Sequence, residues 1–175
     1  SRGLGDVYKR QLLFIENKGM AWGAQINDFI PFLTEKSGKL FLTLFRLFAI
    51  LFIFHWLKKT VQENSSMLFS ISLSLILAGA IGNVVDSVFY GYFFTDSYFQ
   101  IASFAPGDGY SSLFYGNVVD MFQFPLATWT WPSFIPVIGG NEFTFFEPVF
   151  NIADSAISAG IFIMLIFNKS FFKEN

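Results

Sequence analysis

Three polar clusters set in apolar sequence hold the residues best suited to chemistry: Gly82-Asn83-Val84-Val85-Asp86, Gly116-Asn117-Val118-Val119-Asp120-Met121-Phe122 and Phe150-Asn151-Ile152-Ala153-Asp154-Ser155. In the first and third, asparagine precedes aspartate by three positions, a spacing that puts both on one face of a helix. Ser155 and Ser158 extend the polar stripe of the third. If Asp120 and Asp154 converge, they form a carboxylate pair that cannot easily ionise twice and so shares a proton. One carboxylate then takes a proton from water while the other protonates a carbonyl oxygen. That is the chemistry of aspartyl peptide hydrolysis. Plainer roles exist for single members. Asp86 suits a helix end among lipid headgroups, and Asp154 suits a first helical turn, where an acid complements the helix dipole. Neither role explains Asn151 beside Asp154, or Asp120 after Val118-Val119.

Composition narrows the alternatives. The chain is 53% hydrophobic and only 14% charged, with 26 Phe, whereas a soluble domain carries about 25% charged residues. A bilayer is the implied solvent. The net charge of −2 gives no electrostatic reason to bind nucleic acid. The absence of cysteine excludes disulfides, thiolate ligands and a cysteine nucleophile. A lone histidine, His55, is too few for an ordinary zinc site and lies far in sequence from the carboxylates. It reads as an interfacial residue. No metal or other cofactor is expected, and carboxylates are left to do any acid–base work.

These groups must be positioned by helices, because lone strands cannot satisfy their backbone in lipid. A crossing needs roughly 20 apolar residues. Three segments qualify, at about Leu40–Leu57, Met67–Asp86 and Val149–Phe167. Arg46, inside the first, is expected to face protein or to snorkel in a structural role. Ala78, Gly79, Ala80 and Gly82 are small enough to let helices pack closely. Lys58 and Lys59 lie between the first two segments, and Lys169 and Lys173 follow the third. The stretch from Ser87 to Glu147 has no Lys or Arg. By the positive-inside rule the lysine-bearing links are cytoplasmic and residues 87–147 are outside. That outer stretch carries Tyr90, Tyr92, Tyr110, Tyr115, Trp129 and Trp131, rings that favour the interface. Pro106-Gly107-Asp108-Gly109 and Gly139-Gly140-Asn141 are turn signals within it. The expected fold is therefore an all-α membrane protein, one integral domain over 1–175. It is a helical bundle with three transmembrane helices and a small extracytoplasmic β or irregular excursion. Leu12 to Gln25 reads as a short strand and turn. Residues 1–11 are too polar to span and form an atypical N-terminus.

At these clusters the sequence resembles the lipoprotein signal peptidases, or signal peptidase II. The family order is Asn-x-Gly-x-Ala, Gly-Asn-x-x-Asp, Val-Val-Asp and Phe-Asn-x-Ala-Asp. Here it reads Asn17-Lys18-Gly19-Met20-Ala21, Gly82-Asn83-Val84-Val85-Asp86, Val118-Val119-Asp120 and Phe150-Asn151-Ile152-Ala153-Asp154, over about residues 12–168. Each motif alone is weak, but four in order are specific. The Gly-Met-Ala-Trp form and the long aromatic outer segment look like the Bacteroidetes-type branch. The resemblance implies a four-helix enzyme of the bacterial inner membrane, acting as a monomer, with a catalytic Asp120–Asp154 pair near the periplasmic face. It implies that Asn83, Asp86, Asn151 and Ala153 support the site, and that Asn17 and Gly19 line the substrate groove. The implied substrates are diacylglyceryl-prolipoproteins, cut before the modified cysteine, with membrane lipid as the surrounding partner. There are two departures. Ser87 stands where many members have Arg, which puts that residue's contact in question. The family's first helix has no counterpart here, so the chain is expected to be an N-terminally incomplete or misjoined form.

Two other readings compete. A small transporter or channel subunit would use the boundary carboxylates for cations or protons, but would need polar groups through the membrane depth, whereas these gather at one face. A docking or assembly protein would use the aromatic outer segment and give no reason for the Asn-x-x-Asp pairs.

Overall fold

A computed structural model describes residues 11–19, 24–30, 32–98, 100–123, 127–145 and 149–167. Most of the atypical N-terminus, the Met20-Ala21 part of the first motif, and Lys169 and Lys173 lie outside these residues. The chain divides into two compact units: Glu16–Val119 with Ile152–Asn175, and Ser1–Ile15 with Asp120–Asn151.

The first unit is helical. After the one-turn α1 (Ile26–Phe29), α2 runs Glu35–Gln62. Thr34 caps it by accepting from the Ser37 N–H at 3.2 Å, which satisfies one of the donors a helix start leaves orphaned. The helix outruns the apolar segment at both ends, because Glu35, Lys36, Lys58 and Lys59 are good helix formers. At about 1.5 Å per residue its 28 residues reach about 42 Å, against about 30 Å of bilayer hydrocarbon. It exposes Phe41, Phe45, Phe48, Leu51 and Phe52. Such a large apolar surface implies an apolar surrounding.

α3 spans Met67–Val85 and was expected to stop at Asp86. Instead Asp86–Tyr90 form one turn of π-helix and α4 (Gly91–Phe93) follows, so that 27 residues, Met67–Phe93, make one apolar helical run. Asp86 thus sits within helical structure rather than at a helix end. The widened turn accommodates an extra residue without breaking the helix, a device common at functional positions. The chain is thus mostly helical, with two helices long and apolar enough to cross a membrane.

The last helix, α5 (Ile152–Ile166), has 15 residues. It packs against α3 at very short range. A Cβ on Gly79 would stand 2.3 Å from the Ala153 carbonyl oxygen, and one on Gly160 would stand 2.6 Å from that of Ser72. Any side chain at either position would force the helices apart, so the small residues of α3 serve packing. Leu73 and Ser72 are buried, the serine hydroxyl donating to the Leu68 carbonyl at 2.8 Å.

The other unit is built on strands. β1 (Gln11–Asn17), β2 (Val118–Gln123) and β5 (Val149–Phe150) form a three-stranded sheet in the order β1-β2-β5. β1 matches the strand expected after Leu12. Val149 and Phe150, expected to open the last helix, instead pair antiparallel with β2, Phe122 opposite Phe150. Valine and phenylalanine suit a pleated surface, and a partner strand far along the chain decides the matter. β3 (Ala127–Thr130) and β4 (Glu142–Phe145) make a separate hairpin with Trp129 opposite Phe143. Their ring centroids are 4.9 Å apart, an aromatic cross-strand pair of the kind that stabilises such ribbons.

Candidate active site

Asp120 lies on β2 and is nearly fully buried, as is Asn151, which follows β5. The Asn151 amide Nδ2 donates to Asp120 Oδ1 at 2.9 Å. A buried carboxylate needs such donors, since its desolvation is otherwise uncompensated. The pairing of β5 with β2 brings the two residues together. Asn151 therefore precedes the helix and does not share a helical face with Asp154 as its spacing suggested.

In the helical unit Asp154 stands in the first turn of α5. Asn83, on α3, donates from Nδ2 to Asp154 Oδ1 at 2.8 Å. The approach of α5 at Gly79 and Gly82 makes this reach possible. Ala153 is the point of contact, with its Cβ 3.1 Å from where a Gly82 side chain would begin. Asp86, on the π-turn, accepts from the Val119 N–H at 3.2 Å. It thereby fixes the backbone immediately before Asp120. Each of these asparagines thus reaches the aspartate of another motif. Asn17 ends β1, and its Oδ1 accepts from the Gly19 N–H at 3.0 Å, closing a tight turn.

Arg46, read from the sequence as structural, has a specific seat. Its Nη1 donates to Ser87 Oγ at 2.9 Å and its Nη2 to the Gly19 carbonyl at 3.1 Å. A guanidinium therefore does reach position 87, delivered from α2 instead of from the residue itself.

A second polar network leaves little trace in the sequence. Glu16 accepts from the Ser97 hydroxyl and from Asn117 Nδ2, each at 2.7 Å. Lys39 Nζ donates to Asn117 Oδ1. The Asn117 N–H donates to the Tyr110 hydroxyl at 2.7 Å. Burial pushes the Tyr110 phenol up, against the opposing pull of the Asn117 N–H, so it stays neutral at physiological pH. Asn117 precedes Val118-Val119-Asp120, and the network holds the chain entering β2. Its one sequence signal was Asn117 inside the second cluster. Asn117→Ala takes a hydrogen-bond partner from both Glu16 and Lys39, at a cost of about 1–3 kcal/mol. Thermal unfolding in detergent should show a clearly lowered midpoint, and an unchanged one would deny the network its role.

The family model for signal peptidase (SPase) II matches residues 6–170. A lipoprotein signal peptidase of Porphyromonas gingivalis is 48% identical over 158 residues, covering 89% of this chain and 66% of its own. Proteins of the same name from Amoebophilus asiaticus and a Janthinobacterium strain are 35% and 30% identical, over 93% and 88% of this chain and 62% and 63% of theirs. The chain thus spans slightly less than two thirds of the length of these relatives. No solved structure shows significant similarity to it. With the family model covering nearly the whole chain and the four motifs in order, the chain belongs to the signal peptidase II family.

Proposed function

We propose that the chain is a membrane aspartyl endopeptidase that removes the signal peptide from prolipoproteins, cutting before the diacylglyceryl-modified cysteine. The observation that carries this reading is the pair of asparagine–aspartate couples, Asn151 on Asp120 and Asn83 on Asp154. An amide N–H on one oxygen fixes each carboxylate's orientation. Family membership and the name borne by the relatives point to the same substrate class.

In the proposed reaction Asp120 and Asp154 share a proton and hold a water between them. The ionised member takes a proton from the water, whose oxygen bonds to the scissile carbonyl carbon. The protonated member gives its proton to the carbonyl oxygen. The tetrahedral intermediate then collapses. One hydroxyl of the intermediate returns its proton to the now ionised carboxylate. The other carboxyl group passes the proton it took from water to the amine nitrogen. The C–N bond breaks, and the signal peptide leaves with a new carboxyl terminus while the dyad regains its starting protonation. Asn83 and Asn151 keep the two acids in register, Asp86 anchors the strand that bears Asp120, and Asn17 and Gly19 line the groove.

The proposed setting is a bacterial inner membrane. Lys58 and Lys59, in the last turns of α2, mark the cytoplasmic side. Residues 87–147, free of Lys and Arg, form the outer excursion. α5 completes the third crossing and brings Asp154 in near the periplasmic face. The substrate enters laterally with its lipid, and the enzyme works as a monomer.

A synthetic prolipoprotein peptide offered with and without the diacylglyceryl group checks the proposal. The purified chain in lipid micelles should release a fragment beginning at the modified cysteine, identified by mass, and leave the unmodified peptide intact. Equal cutting of both peptides, or of neither, refutes the substrate assignment.

A further inference from the structure

Arg46 lies within an apolar helix, where a guanidinium is costly unless protein receives it. Ser87 and Gly19 both receive it. Nη1 meets Ser87 Oγ and Nη2 meets the Gly19 carbonyl. Each acceptor belongs to a local structure that is itself tied down. The Ser87 hydroxyl donates to the Asn83 carbonyl at 2.8 Å, at the start of the π-turn that carries Asp86. Gly19 donates to Asn17 Oδ1, and a Cβ added to it would lie 2.1 Å from the Ala24 carbonyl oxygen. One planar group thus joins α2, the π-turn and the turn after β1. A fork of N–H donors can span two acceptors in this way, whereas an ammonium offers a single point of charge.

We propose that Arg46 is a positioning residue for the substrate peptide, clamping the Asn17–Gly19 turn to the π-turn so that the turn's backbone is held in one orientation toward the bound chain. This rests on the peptidase reading above. It assigns Arg46 a part in substrate binding, separate from the carboxylate chemistry.

Arg46→Gln should raise KM about tenfold or more, the size of losing a hydrogen bond to a charged group, while kcat changes much less. A merely structural arginine would lower the amount of active enzyme and leave KM alone. Arg46→Lys should recover little. The exchange variant Arg46→Ser with Ser87→Arg returns a guanidinium from the α3 side and should bring KM back toward the wild-type value. Wild-type KM in Arg46→Gln overturns the proposal, as does a well-folded exchange variant whose KM stays raised. Hydrogen exchange at the Gly19 amide judges the clamp without any cleavage. Faster exchange in Arg46→Gln, and in the milder Ser87→Ala, supports it, and wild-type exchange in both overturns it. Should the wild-type chain cut no prolipoprotein, the peptidase reading fails by itself, and the exchange measurement still decides whether Arg46 holds the turn.

Discussion

Asp120→Asn and Asp154→Asn are each expected to abolish prolipoprotein cleavage, with a rate loss of at least about 10²–10⁴-fold, the range for removing a positioned acid or base. Asparagine nearly preserves the shape of the side chain but can neither accept a proton from water nor donate one to a carbonyl oxygen. The double variant should be little worse than either single one, because groups that act as a unit do not contribute additively. Both proteins should still insert and fold. Asp154→Asn keeps an oxygen that can accept from Asn83, whose amide now stands 2.8 Å from the carboxylate. Initial rates with equal amounts of membrane-inserted protein provide the measurement. Normal processing by either variant would falsify the assignment of the pair.

Gly79→Leu is expected to damage the protein nearly as severely by another route. The first side-chain atom alone would lie 2.3 Å from the Ala153 carbonyl and 2.7 Å from Ile157 Cγ1, so α5 must move. Overpacking of this kind costs about 1–3 kcal/mol and occasionally more. Ala153 is the neighbour of Asp154, so the displacement falls on the reach from Asn83 to Asp154. Activity should therefore drop more than the fraction unfolded explains. Thermal unfolding and cleavage rate, measured below the unfolding range, separate the two effects. A variant with unaltered midpoint and rate would mean that α3 and α5 are not held at this separation.

Both effects depend on contacts that sequence spacing only partly foretells. The long helices were legible because a run such as Leu40–Leu57 admits few other structures in an apolar solvent. The three clusters that bear Asp86, Asp120 and Asp154 were legible as candidates because carboxylates beside apolar runs are rarely placed there without partners, whereas Asn17-Lys18-Gly19-Met20-Ala21 stood out only through the family resemblance. The partners themselves were not legible. Spacing suggested Asn83 with Asp86 and Asn151 with Asp154, yet Asn83 bonds Asp154 and Asn151 bonds Asp120. Local spacing reports only what one helix can bring together, and these bonds arise from the packing of α5 on α3 and the pairing of β5 with β2. The π-turn at Asp86–Tyr90 leaves no mark on hydropathy, since a change of hydrogen-bond register alters no residue's polarity. Arg46 was visible as an anomaly in α2, but Ser87 and Gly19 are neutral residues that nothing in the sequence singles out as its acceptors. The same holds for Glu16, Asn117 and Lys39, which meet only after the chain has folded back on itself.

The proposed chemistry turns on whether the carboxylates of Asp120 and Asp154 can meet over one water. An experimental structure of the chain in lipid, with a non-cleavable prolipoprotein peptide bound, would give their separation. Oxygens about 3 Å apart, or bridged through a single water, are the predicted result, because only then can one proton serve both acids. A gap wider than about 6 Å with no water common to both, beyond the reach of two linked hydrogen bonds, contradicts it.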